Sequence, residues 1–203
     1  MPTTLEKIVR DCPTVQRSKT EGGKSLIHTE NNEVRYVLGD IGDKPLICIG
    51  VNPSVSENDD GGRGTILTVE KVKRKNNHGS WVMLNVYPVR AKNANKLSDY
   101  DAVLDEVNRK IIEAVLEDVV KKTGKPPTVW VAWGVSIEKK PYLLIRLCAI
   151  ISLLEKHNCH FVTCGKLTVA GHPHHPLGVC DIELKDFDMI EYKRKLGCHP
   201  PLL

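Results

Sequence analysis

Two asparagines, Asn52 and Asn85, and a run of three histidines, His172, His174 and His175, are the side chains of this sequence best suited to chemistry. A carboxamide donates and accepts hydrogen bonds at once, so it can orient a water or read the polar edge of a planar ligand. It takes up no proton near neutral pH, whereas an imidazole can donate, accept or carry one there. Each of these residues stands in a short segment that follows or closes an apolar run. The segments are Ile49-Gly50-Val51-Asn52-Pro53-Ser54, Leu84-Asn85-Val86-Tyr87-Pro88-Val89-Arg90-Ala91 and Gly171-His172-Pro173-His174-His175-Pro176-Leu177, with Trp133-Gly134 as a fourth of the same kind. In an open α/β sheet the strand ends converge on the crevice where ligands bind, so the four segments read as one site.

Other groups carry competing readings. The three histidines with Cys164 or Cys180 could hold zinc, but neighbouring His174 and His175 cannot easily both face one ion, and neither a metal nor a cofactor is expected. Asp59 and Asp60, in a Gly-rich loop just after Asn52, could supply a carboxylate or could form an ordinary solvated turn. Lys71, Lys73, Arg74, Lys75, Lys92 and Lys96 could line a phosphate track, which would make binding salt dependent, or could be a solvated helix face.

The elements that must position these groups follow from patterning. At 203 residues the chain can bury one core without disulfides, and its formal charge of +4 permits a polyanionic partner without requiring one. No apolar run is long enough to span a bilayer and Met1 to Arg10 lacks a signal-type apolar stretch, so a cytoplasmic protein with no membrane partner is expected. Seven cysteines without paired CxxC spacing are expected as free thiols.

Residues 1–25 read as a polar, basic arm, and residues 26–203 as a single domain. Within that domain Leu26–Thr29 and Val34–Gly39 form a hairpin, and Pro45–Val51, Trp81–Val86, Val129–Ala132 and His160–Cys164 form further strands. Helices run towards Lys75 with Thr65 as cap, from Asp99 to about Lys122 with Ser98 as cap, and from Pro141 to Lys156. This alternation predicts a three-layer α/β/α sandwich with a mainly parallel central sheet.

Taken together, the four segments resemble the motifs of the uracil-DNA glycosylase superfamily, over residues 45–180 and in the same order. Gly50-Val51-Asn52-Pro53 is similar to the first motif G-x-D/N-P, and Leu84-Asn85 with Val89-Arg90-Ala91 to the L-L-N strand and its V-R-A-type turn. Trp133-Gly134 matches a buried strand ending in W-G, and His172 to Leu177 looks like the closing H-P-S-P-L motif. The likeness is greatest to a bacterial and phage branch with an I-G-x-N-P-S start and an H-P-L finish.

The resemblance implies a glycosylase-like fold and a monomeric, monofunctional enzyme that leaves an abasic site in DNA, possessing a role in base excision or in antiviral defence against modified phage DNA. Asn52 would position the water. Asn85, with Gly50, Ser54 and Tyr87, would hold the extruded base, and Arg90, Leu177 and Lys92 would contact DNA, Leu177 as the wedge. Ser54 stands where strict uracil enzymes carry a tyrosine that excludes groups on C5, which implies room for a C5-modified pyrimidine. The closing motif is one residue longer here, so its catalytic histidine is His172 or His175, with His175 favoured because it precedes Pro176-Leu177. A non-catalytic module that binds a modified nucleotide or DNA on the same fold is the alternative.

Overall fold

The computed structural model describes residues 2–55 and 64–198. Its centre is a set of short, apolar, β-branched runs, each buried on both faces: β4 (Pro45–Gly50), β5 (Ser80–Asn85), β6 (Thr128–Val131) and β7 (His160–Cys164). β5, β4, β6 and β7 lie side by side and parallel, joined by α2 (Thr65–Lys75), α3 (Ala102–Thr123) and α4 (Pro141–Lys156).

Antiparallel strands extend this centre on both sides. β1 (Gln16–Lys19), β2 (Ser25–His28) and β3 (Arg35–Gly39) continue it beyond β5, and β8 (Leu184–Asp186) pairs with β7. The eight-stranded sheet is therefore mixed, with three parallel and four antiparallel pairings, which corrects the expectation of a mainly parallel sheet. The predicted parallel character is confined to strands joined by crossover helices, since a hairpin can only pair antiparallel.

Side-chain alternation sorts the sheet into two apolar clusters. Ile47, Ile49, Val82 and Leu84 point towards α3 and α4, while Cys48, Met83, Trp130 and Ala132 point towards Ile66, Val69 and Val72 of α2. Helices thus cover both faces. The chain leaves β4 towards β5 on one side and reaches β6 and β7 on the other, so the order reverses at β4, which in such sheets opens a crevice beyond the strand ends.

Two local expectations are corrected, and the N-terminal arm proves to carry structure of its own. The helix predicted from Asp99 starts at Ala102, because the Asp101 carboxylate caps it by accepting from the Val103 and Leu104 amides. The N-terminal arm is folded: α1 (Thr4–Asp11) opens with a Thr3/Glu6 capping box, and Asp118 of α3 accepts from the Thr4 and Leu5 amides. Not all cysteines are free, since Cys148 on α4 is bonded to Cys198 just beyond α5 (Met189–Leu196), with a Cα–Cα distance of 5.6 Å.

That bond closes a loop across a sequence separation of 50 residues. Reductant, or Cys198→Ser, is expected to lower unfolding free energy by about 2–4 kcal/mol, read as a lower melting temperature in thermal denaturation. Among the described residues no helix is long and apolar enough to cross a membrane.

Candidate functional site

The parallel pairing runs past the named strands, and this shapes the crevice. The Val86 and Tyr87 amides donate to the Gly50 and Val51 carbonyls, and the Ala132 amide to Ile49, holding the segments after β4, β5 and β6 against one another. Above them lies a cavity of about 450 Å³ whose wall includes Asn52, Ser54, Lys92, His175 and Leu177. Five of the expected site residues are brought together there. Two cavities of about 470 and 500 Å³ lie elsewhere, one beside α1 and the other at the opposite strand ends near Pro45 and Thr128.

Asn52 is oriented without ambiguity. Its Nδ2 donates to the carbonyls of Pro53 and Ala91, both at 3.0 Å, and only the nitrogen end of an amide can do so. Oδ1 is thereby left as an acceptor. The Ala91 amide returns a bond to Pro53, so the two loops form one rigid wall.

His175 caps a short 3-10 turn, Pro176–Gly178, and its Nδ1 accepts from the Leu177 amide at 3.2 Å. In the neutral ring the proton then sits on Nε2, which becomes a donor. Burial lowers the His175 pKa to about 4, so the ring is neutral at physiological pH. Trp133-Gly134 explains how the histidine loop comes so close: a Cβ on Gly134 would lie 3.1 Å from His175 Cβ, and Gly134 has φ +62°. Gly134→Ala is expected to cost about 1–3 kcal/mol from the backbone alone, because φ +62° with ψ −172° is a region open almost only to glycine. It should also displace His175, which a chemical-shift change at the His175 ring would report.

His172 takes a different place. It is buried, with Nδ1 2.7 Å from Tyr192 Oη and Nε2 2.9 Å from Glu138 Oε1. Trp133 Nε1 donates to the same hydroxyl at 2.7 Å, so a chain that satisfies every member runs from Trp133 through Tyr192 and His172 to Glu138. Both His172 nitrogens are used in anchoring the loop, and of the two expected histidines only His175 lines the cavity. Tyr192 had no sequence signal beyond an aromatic in the tail, although a buried Trp requires an acceptor from somewhere.

Asn85 is buried at the end of β5, directly across from Gly50, on the same sheet face as Met83, which lines the cavity. Its Nδ2 and Oδ1 have no hydrogen-bond partner among the described residues. Gly50 leaves the space for this amide, since a Cβ there would lie 3.1 Å from Oδ1. Ser54 and Lys92 are exposed on the cavity wall, and Leu177 stands 64% exposed beside Gly64.

Two expected contacts are corrected. Tyr87 belongs to the opposite face: it is buried against Tyr100 and Tyr142, and its hydroxyl accepts from the Asp101 amide at the start of α3. The two-residue offset from Asn85 would have kept it on the Asn85 face had the chain stayed a strand, but the turn into Pro88 re-aims it. Arg90 does not line the cavity and acts as a clamp, donating to the Ser54 carbonyl at 2.9 Å and to Asn32 Oδ1 at 3.1 Å. Asp59 and Asp60 lie outside the described residues.

Arg35 was missed. It lines the cavity yet is only 3% exposed. Its signal was a lone arginine inside the apolar run Val34–Gly39, which patterning treats as a solvent-facing position.

No curated protein and no solved structure matches the chain. Residues 35–177, from one cavity-lining residue to another and well over half of the 203, match the family model described as "Protein of unknown function (DUF1643)", and the chain belongs to that family.

Proposed function

We propose that this chain is a monofunctional DNA glycosylase that hydrolyses the bond between deoxyribose and a flipped, C5-modified pyrimidine, leaving an abasic site. One observation carries the reading: Asn52 and His175 line the same cavity, one with an acceptor oxygen and the other as a neutral ring with its proton on Nε2.

Glycosidic cleavage builds positive charge on the sugar and negative charge on the departing base. Asn52 Oδ1 accepts a hydrogen from the attacking water and so orients it towards the sugar carbon. The bond to the base breaks, its electron pair goes to the base, and His175 Nε2–H donates to the base oxygen on which charge collects. The water adds to the sugar carbon and loses a proton to solvent. Asn85, with both amide ends buried and without partners among the described residues, suits the hydrogen-bonding edge of the base. Small, exposed Ser54 leaves room beside C5, Leu177 fills the space that the extruded base vacates, and Lys92 meets phosphate. A uracil-DNA glycosylase-like fold accords with helices on both faces and a crevice at the strand ends.

The test is incubation of the protein with C5-modified DNA, including hydroxymethylated or glucosylated phage DNA, and with unmodified DNA, followed by alkali and gel analysis. Strand breaks confined to modified DNA are expected. Excision of plain uracil and of no C5-modified base would sink the specificity, and borohydride trapping of protein on DNA would contradict the monofunctional mechanism.

A non-catalytic module that binds the modified nucleotide is the second reading. It is favoured by one specific observation, that the residue facing the cavity after β4 is Asn52, whose amide orients a water but takes up no proton. Binding to modified DNA without breaks would select it.

A further inference from the structure

The cavity of about 470 Å³ beside α1 shares no lining residue with the crevice at the strand ends. Its floor is the α3 face of the sheet, with Ile27 of β2, Val37 of β3 and Val82 of β5, and one wall is Val115 of α3, each of them 3% exposed or less. Helix α1 closes another side through Leu5. Although amphipathic, this helix has no fully buried residue: Leu5, Ile8 and Val9 touch the core yet stay half-buried.

Two polar props hold α1 in that position. Asp118 of α3 accepts from the Thr4 and Leu5 amides at 2.9 and 3.0 Å, and Arg17 of β1 pairs with Glu6 at 3.2 Å. Hydrogen bonds have set lengths and directions, so they fix the helix and keep it from settling onto the apolar floor. A space of this size bordered by aliphatic side chains forfeits packing contacts until something apolar fills it, and it lies within the range that holds a small-molecule ligand.

The rim selects the head group. Its carboxylates are already used: Glu6 accepts from the Thr3 amide and from Arg17, Asp40 from the Ser25 hydroxyl at 2.6 Å, and Asp118 from the two α1 amides. Its lysines are not. Lys122 gives only one of its hydrogens, to the Ile41 carbonyl at 2.6 Å, and neighbouring Lys121 has no hydrogen bond or ion pair to a described residue. The unused capacity is that of cationic donors, which calls for an anionic acceptor. A second negative charge on that acceptor would be repelled by Asp40 and Asp118 on the same rim. Both lysines are exposed, in the last turn of α3, so the head group stays in contact with water while the tail goes inward.

We propose that this cavity binds a small amphipathic monocarboxylate, its alkyl tail against Ile27, Val37, Val82 and Val115 and its carboxylate at Lys121 and Lys122. The assignment does not depend on how the crevice is read. It is tested by isothermal titration calorimetry of the full chain with butanoate, hexanoate, octanoate and octylammonium, all at submicellar concentrations. Affinity is expected to rise about fourfold per methylene along the carboxylates, the factor equivalent to about 0.8 kcal/mol for each CH₂ buried. Octanoate should bind at least about fivefold more tightly than octylammonium, since a rim-exposed ion pair contributes up to about that factor. Lys121→Gln combined with Lys122→Gln should remove this preference, and Val115→Phe, which fills the cavity, should abolish octanoate binding.

Methyl NMR of the native protein locates the ligand without recourse to any variant: octanoate should shift the Val37, Val82 and Val115 methyls more than those of Val51 and Leu177 at the crevice. Absence of octanoate binding, affinity independent of chain length, or equal affinity for octylammonium overturns the proposal. So does a shift centred on the crevice, or binding that persists in folded Val115→Phe. A preference for octanoate that survives the double lysine variant places the head group elsewhere and overturns its assignment to Lys121 and Lys122.

Discussion

Asn52→Ala is expected to lower single-turnover excision of a C5-modified base by about 10²-fold while binding of the same DNA changes little. The magnitude follows from losing the orientation of one reactant, for which a misplacement of about 1 Å suffices. It also follows from the loop, since Nδ2 ties the segment after β4 to Ala91, and removing the bonds to Pro53 and Ala91 loosens the wall that holds the water. Each lost bond costs about 0.5–1.5 kcal/mol, too little to unfold a typical domain of this size, so circular dichroism should report a folded protein. Because an amide offers no general-base help, native turnover itself should be slow, short of the roughly 10²- to 10⁴-fold that a placed base supplies. Native and Asn52→Ala proteins that excise at equal rates would remove Asn52 from the mechanism.

The second large effect belongs to His175. On the proposed mechanism its replacement by alanine removes the donor to the departing base, and an oxyanion-type donor is worth about 10²- to 10³-fold in turnover. His175→Gln, which restores an N–H, should recover part of that loss. The pH profile separates this role from a merely structural one. Burial holds the folded pKa at about 4, against a reference value of 6.5, so the neutral donor persists and activity due to this group should stay level from pH 8 to about 5.

Stability behaves differently. Below the unfolded pKa of 6.5 the unfolded chain gains a proton that the folded chain refuses, so stability falls as pH drops from about 6.5 towards 4 and is fully present above that window. An acid limb of activity centred near pH 6.5 that vanishes in His175→Ala would show a ring that titrates normally, and would contradict the neutral-donor mechanism.

Much of the scaffold could be read from the chain before any coordinates. The continuous apolar runs at Pro45, Trp81 and Val129 are strands buried on both faces, the helix at Pro141 begins where predicted, and that towards Lys75 begins at Thr65 itself, with Gly64 rather than Thr65 as its cap. What escaped were elements whose stability is tertiary. Helix α1 depends on a carboxylate more than 100 residues away, at Asp118, and α5 on a disulfide and on Tyr192 packing against Trp133 and Phe187. Helices of eight residues are too short to be stable alone, so their formation depends on these distant contacts rather than on local pattern.

At the site itself the division is similar. That Asn52, Ser54, Lys92, His175 and Leu177 gather at one crevice was legible, because each follows a buried strand and strand ends converge. The choice between His172 and His175 was not, since it turns on whether a ring's nitrogens find partners, and Tyr192 and Glu138 are brought to His172 only by folding. The sidedness of Tyr87 and of Arg35 was equally hidden: a turn rotates the first away, and a one-residue bulge rotates the second inward. Residue types and their order along the chain thus determined which strand ends would border the cavity. Only the tertiary structure decided which of those side chains face the cavity, because facing depends on pairing register and distant partners, and neither is a local property of sequence.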